Sequence, residues 1–222
     1  MSKFSFYVVN KAPGTTAEIY MYGYIGNNED MNTALFVSTL RDLYRSNNEI
    51  KLYINSGGGS VYEGMALVNV LKECGDKITG YVEGIAASMA FVLSQVLNKC
   101  YISKYGRAMS HRAQGGCWGN ADEMRAMADE IESVENELVK VVATKTGLSD
   151  TATREKYFGN TDRWINAEQA VKEGLYAGIY DGTPINAPAN MQGAEELVNH
   201  YSQTLVNQVG TSTTKDTIII LL

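Results

Sequence analysis

From residue 50 onward, short strand-like runs alternate with helical runs, and this rhythm constrains the fold more than any other feature of the chain. Residues 50–54, 77–83 and 99–103 read as strands, while 61–73 and 89–97 read as helices. Strands joined by helical crossovers pair in parallel, so the pattern predicts an α/β fold with a largely parallel sheet. Upstream, residues 17–24 alternate polar and apolar side chains and stop at Gly26, Asn27 and Asn28. Asp30 is placed to cap a helix over 31–45, with Leu35, Phe36, Leu40 and Leu43 on one apolar face.

The second half opens with a long helix over 121–146. Asn120 and Glu123 have capping-box spacing, and Met124, Met127, Ala128, Ile131, Val134, Leu138, Val141 and Val142 form a stripe at helical period. Gly147 ends this helix and Ser149 caps a shorter one. Residues 163–180 read as strand, helix, strand, with Asn166 and Gln169 again at capping spacing. Beyond Gly182 the character changes to a Pro-containing linker, an amphipathic run over 194–209, a polar stretch and an apolar end over 217–222. That end is β-prone and is expected to pack against its own or a neighbouring subunit. The division expected is an N-terminal segment 1–16, a core domain 17–183 and a tail 184–222.

With 222 residues and 45% hydrophobic content, one substantial core is affordable. A net charge of −6 without a dense Lys/Arg cluster argues against nucleic acid as a partner. No apolar run reaches the roughly 18–20 residues of a membrane span, and the N-terminus lacks a signal-peptide core, so a cytoplasmic protein is expected. Cys74, Cys100 and Cys117 are odd in number and lack CxxC spacing, so neither a disulfide framework nor a metal site is expected. No cofactor motif is present.

Two segments carry the chemistry. Ser88 lies between the strand at 78–82 and an apolar helical run, where unpaired helix N–H groups favour a developing oxyanion. Gly57, Gly58 and Gly59 follow the strand at 50–54 and permit close backbone approach. Each segment alone also fits a tight structural turn. The chain has two histidines: His200 sits on the polar side of the tail helix, whereas His111 follows a strand-like 107–110 and is the core's one imidazole base for Ser88. Asp162 is a turn carboxylate able to orient that imidazole, although spacing alone does not place it there. Lys99 and Lys104 are the nearest lysines after Ser88 for a Ser–Lys mechanism, but neither sits in a base motif.

Tyr53-Ile54-Asn55-Ser56-Gly57-Gly58-Gly59, Gly84-Ile85-Ala86-Ala87-Ser88-Met89 and Met109-Ser110-His111-Arg112 resemble the three signature regions of the Clp protease proteolytic subunit. The similarity continues through Gly116 to Asp122, Lys145 to Ser149 and Asp162 to Ala170, and covers roughly residues 17–181. Between Gly119 and Ser149 it is strongest to the phage and prophage head-maturation branch. The resemblance implies a crotonase-like (ClpP-like) ββα spiral with a long handle helix, here extended at its C-terminus. It implies Ser88 as nucleophile, His111 as general base, Asp162 as orienting acid, and the backbone N–H groups of Gly59 and Met89 as oxyanion hole. An extended substrate would pair beside Gln114, Gly115, Gly116, Cys117 and Trp118, which with the helix to Ala143 form the handle.

The partners implied are an unfolded, capsid or scaffold protein as substrate, further copies in a homo-oligomeric ring (a heptamer or stacked rings), and an AAA+ unfoldase. The setting implied is the bacterial host cytoplasm or a phage procapsid. Gly57 stands where the family usually has proline, which predicts a looser loop. Thr161 stands where many bacterial members have an arginine used in ring–ring contact. Two other readings remain open at this point: a crotonase-like acyl-CoA enzyme, and a non-catalytic ring or scaffold protein.

Overall fold

The computed structural model describes residues 7–9, 13–26 and 32–181. In chain order the first elements are β1 Tyr7–Val9, β2 Thr16–Ile25, α1 Thr33–Ser46, β3 Glu49–Gly59, α2 Val61–Cys74, β4 Ile78–Ala87 and α3 Met89–Val96. They are followed by β5 Lys99–Ser103, β6 Arg107–Ser110, α4 Ala121–Thr146, α5 Asp150–Tyr157, β7 Arg163–Asn166, α6 Ala167–Lys172 and β8 Gly178–Tyr180. The sheet runs β1-β2-β3-β4-β5-β8, parallel from β2 through β8, with β1 antiparallel at one edge. β6 pairs in parallel with the far end of β4 and antiparallel with β7.

Side-chain alternation along the strands sorts the two faces. Ile19, Ile50, Leu52, Ile54 and Val82 join Phe36, Leu40 and Leu43 of α1, Leu67 and Leu71 of α2, and Phe91 and Leu93 of α3 in one buried cluster. On the opposite face Tyr20, Tyr53, Tyr81 and Tyr101 stand in register on four adjacent strands. Their rings stack with centroids 4.6, 5.3 and 5.8 Å apart and form a continuous aromatic row across the sheet.

Several elements differ from the sequence reading. The cap of α1 is Asn32, whose side chain accepts from Leu35 N at 3.0 Å; Asp30 lies outside the described residues. A capping oxygen must sit immediately before the first helical residue, and α1 begins at Thr33. Leu35 is 44% exposed and so leaves the apolar face assigned to it. β3 extends through the glycine run instead of stopping at Ile54, because Tyr24 and Ile25 pair with Gly58 and Gly59. Gly57, where a looser loop is expected, lies within β3 at a register shift between the paired Asn55 and Gly58, with the Tyr24 ring beside it. β1 was not anticipated. The tail, with its linker, helix, apolar end and His200, lies outside the described residues.

The long helix has the expected capping box and ends at Gly147, whose N–H bonds Ala143 O at 2.8 Å. Its C-terminal half holds the buried residues Glu135, Leu138, Val139, Val142 and Ala143, whereas further forward Met124 is 51% exposed and Glu130 accepts from Tyr62 Oη at 2.8 Å. α5, β7 and α6 are tied together by Glu173, which accepts from Arg163 Nη2 at 2.6 Å, Tyr157 Oη at 2.8 Å and Gln169 Nε2 at 2.9 Å, and pairs with Lys156 at 3.2 Å. Burial pushes this carboxyl's pKa up, but the four donors together outweigh it and hold the value down from 4.5 to about 2.

Two outcomes follow from this packing. Leu52 is fully buried at the centre of β3, so Leu52→Ala should cost about 2–5 kcal/mol in urea unfolding, and a loss near zero would contradict the core assignment. Glu173 has a folded pKa below its unfolded one, so its contribution is present above about 4.5 and is lost as pH falls toward 2. Unfolding curves between pH 5 and 2.5 should show a weaker pH dependence in Glu173→Gln than in the wild type.

Candidate active site

Ser88 joins β4 to α3 within a single residue. The end of β4 is held on both sides, by Ser56 of β3 and by Ala108 and Met109 of β6, while Met89 already begins the helix. The turn forces Ser88 to φ 54 and ψ −124, and it is the only non-glycine among the described residues with positive φ. Such a conformation costs on the order of 1–3 kcal/mol and persists only where the surroundings fix it. Here Ser88 N donates to Met109 O at 2.9 Å. The hydroxyl does not cap α3, which leaves Oγ available.

Oγ meets His111 Nε2 at 2.7 Å. The distance follows from strand pairing: β6 lies against the end of β4, and His111 is the first residue beyond β6. The glycine strand closes over the same point. Gly58 has φ +99, and a Cβ there would stand 2.6 Å from Ser88 Cβ and 2.9 Å from Met89 N. A Cβ on Gly59 would lie 2.2 Å from Ile25 O. Met89 N–H is in the first turn of α3, where the helical ladder provides no acceptor.

Asp162 reaches the neighbourhood through β7, whose antiparallel pairing places Arg163 opposite Ser110. Its Oδ1 is 4.0 Å from His111 Nδ1, beyond hydrogen-bond distance, and its side chain is 57% exposed. The side-chain nitrogen of Gln114 is nearer to that ring atom, at 3.3 Å. Residues 114–118, beside which an extended substrate is expected to pair, form no strand within the chain itself. A strand needs a paired neighbour, and among the described residues this segment has none; Trp118 is fully exposed. Lys99 begins β5 and Lys104 lies over the Tyr105 ring, and neither bonds Ser88.

One residue escaped the sequence reading. Glu135 of α4 is fully buried, accepts Ala113 N–H at 2.8 Å and Arg112 Nε at 3.3 Å, and pairs with Arg154. It thereby anchors the backbone two residues past His111. Its signal was available: a carboxylate one helical turn from both Ile131 and Leu138 lies on the inward face, where an unpaired charge would be prohibitive. A cavity of about 430 Å³ adjoins this cluster, lined by Arg112, Glu132, Asn136, Arg154 and Asn160 among others. Among the described residues no cluster of His, Cys, Asp and Glu is arranged to hold a metal ion, and no helix is long and apolar enough to cross a membrane.

Residues 15–183 match the family model described as Clp protease. Among curated proteins, the chain is 37% identical over 130 residues to "ATP-dependent Clp protease proteolytic subunit 2" of Corynebacterium efficiens, covering 57% of this chain and 64% of that protein. It is 34% identical over 143 residues to "ATP-dependent Clp protease proteolytic subunit 1" of Prochlorococcus marinus, covering 63% and 71%. Against the proteolytic subunit of Bacteroides fragilis it is 29% identical over 164 residues, covering 65% and 77%. The chain thus spans just under two thirds of the first relative and somewhat more of the others. The matched span holds the whole parallel sheet from β2 to β8 together with Ser88, His111 and Asp162, and the α/β architecture is the ClpP-like one. On these grounds the chain belongs to the Clp protease family.

Proposed function

We propose that the protein is a Clp-type serine endopeptidase in which Ser88 is acylated, His111 moves the protons and Asp162 supplies a negative charge behind the imidazole. The observation that carries this reading is the 2.7 Å contact between Ser88 Oγ and His111 Nε2 on a serine held at positive φ. As Oγ attacks the peptide carbonyl, its proton passes to Nε2; the same proton then goes to the leaving amine. Water attacks the resulting ester with His111 again as base, and the proton returns to Oγ. The oxyanion formed in both steps would be received by the N–H groups of Gly59 and Met89.

Substrate would lie extended beside residues 114–118, where the unpaired main chain can accept a strand with little demand on sequence. Trp118 and Met124 are exposed, and Met127 and Ile131 are half-buried beside Val61 and Tyr62 of α2, an apolar surface that supports assembly into a homo-oligomeric ring (a heptamer or stacked rings) through the handle. The names of the relatives include ATP dependence, so an AAA+ unfoldase is the proposed partner. The resemblance over residues 119–149 favours phage or prophage head maturation, with a capsid or scaffold protein as substrate in the host cytoplasm or procapsid. In this reading residues 17–183 are the peptidase domain and 184–222 an appended tail.

Ser88→Ala should lower peptide or casein hydrolysis by about 10⁴-fold or more, and retained hydrolysis would remove Ser88 as nucleophile. Adding ATP and an unfoldase to the casein assay separates a free peptidase from a coupled one. Native mass should correspond to a ring in the wild type and fall in the double variant Met127→Glu, Ile131→Glu. An unchanged mass would exclude the handle as the contact.

A further inference from the structure

The proposed oxyanion donors are backbone N–H groups, so their aim depends on what holds the chain around them. Met89 N–H is fixed by the turn at Ser88 and the start of α3. The Gly59 side is different. Glycine has the widest backbone freedom of any residue, and Gly58 and Gly59 stand at φ +99 and +147. Just upstream the ladder that would restrain them is irregular. Pairing with β2 passes from Asn55 directly to Gly58, and pairing with β4 shifts register between Ile54 and Ser56. Downstream, Ser60 N–H donates to Ile25 O at 2.8 Å and ties that end.

Ser56 makes the upstream tie. Its hydroxyl accepts Gly58 N–H at 3.2 Å and closes a short turn over the irregular stretch. Ser56 is 1% exposed, so water does not compete for that bond. Its backbone pairs with Ala86, two residues before Ser88. The tie therefore fixes Gly58 relative to the strand that carries the nucleophile. Contact there is close: a Cβ on Gly58 would stand 2.8 Å from Ala87 O and 2.9 Å from Met89 N. A shift of Gly58 consequently moves the Gly59 N–H relative to the Met89 N–H, and both must point at one oxygen.

We infer that Ser56 is a positioning residue for the oxyanion site: its hydroxyl holds Gly58 against the Ser88–Met89 turn and thereby sets the aim of the Gly59 N–H. The inference rests on the proposed Gly59 and Met89 donors. A hydroxyl suits the task because it accepts from a backbone N–H without carrying charge into a buried strand. It also accounts for a buried polar side chain that none of the proton-transfer steps uses.

The test compares hydrolysis of a peptide ester with that of its thionoester, in which sulfur replaces the carbonyl oxygen, by the full chain. Sulfur is larger and a poorer acceptor than oxygen, so a pair of aimed N–H donors favours the ester. The wild type should hydrolyse the ester at least about 100-fold faster. Ser56→Ala should narrow that preference by about 10-fold or more, chiefly by slowing the ester. Ser56→Cys, close in size but a weaker acceptor, should do the same, whereas Ser56→Thr keeps the hydroxyl and should retain most of the preference. The ratio refers to active molecules alone, so incomplete folding lowers both rates together and leaves it unchanged. A wild-type preference carried intact into Ser56→Ala and Ser56→Cys overturns the inference, as does a loss in Ser56→Thr equal to that in Ser56→Ala. A wild type with no preference for the ester would instead overturn the oxyanion donors beneath it.

Discussion

The parallel pairing between the end of β4 and β6 holds the site together. Ile85, Ala86 and Ala87 face Arg107, Ala108 and Met109, and Ser88 and His111, which touch each other, stand just past the ends of these two strands. Ser88 follows Ala87 and His111 follows Ser110, so the ladder fixes their separation before either side chain chooses a rotamer. The same ladder supplies the Met109 carbonyl that holds Ser88 N–H and stabilises the positive φ. A backbone hydrogen-bond ladder is far stiffer than a side-chain contact, which is what a near-attack geometry requires.

The third group is held less firmly. β7 pairs with β6 and is braced by the Glu173 cluster, yet Asp162 sits in the exposed turn that precedes it. Behind His111 the firm anchor is Glu135, which reaches across from the packed half of α4. The two ends of α4 therefore differ: its C-terminal half steadies the segment after His111, and its N-terminal half carries the exposed Met124.

Much of this was legible in the chain because local chemistry and global fold agree. The β-rich runs at 50–54 and 78–82, the capping pair Asn120 and Glu123, and the inward stripe ending at Val142 are periodic signals that packing reinforces. The elements that local pattern does not mark, the strand through the glycine run and β1, each depend on a partner distant in sequence. The glycine run became strand because β2 lay beside it, and β1 formed only by pairing with β2. Ser88 and His111 were readable as residue types in motif context, and their contact came from strand register. Helical spacing marks Glu135 as inward-facing, but neither its bond to Ala113 N–H nor the contact of Gln114 with His111 leaves a mark in local spacing.

The central claim is that Ser88 becomes covalently acylated under the action of His111. It is tested most directly by trapping the intermediate with a slowly hydrolysed ester and mapping the modified peptide by mass spectrometry. The account predicts one acyl group, carried on the peptide that contains Ser88 and absent when His111→Ala is treated in the same way. An acyl group on another residue, or turnover of the ester with no acylated Ser88 at any time, would contradict it.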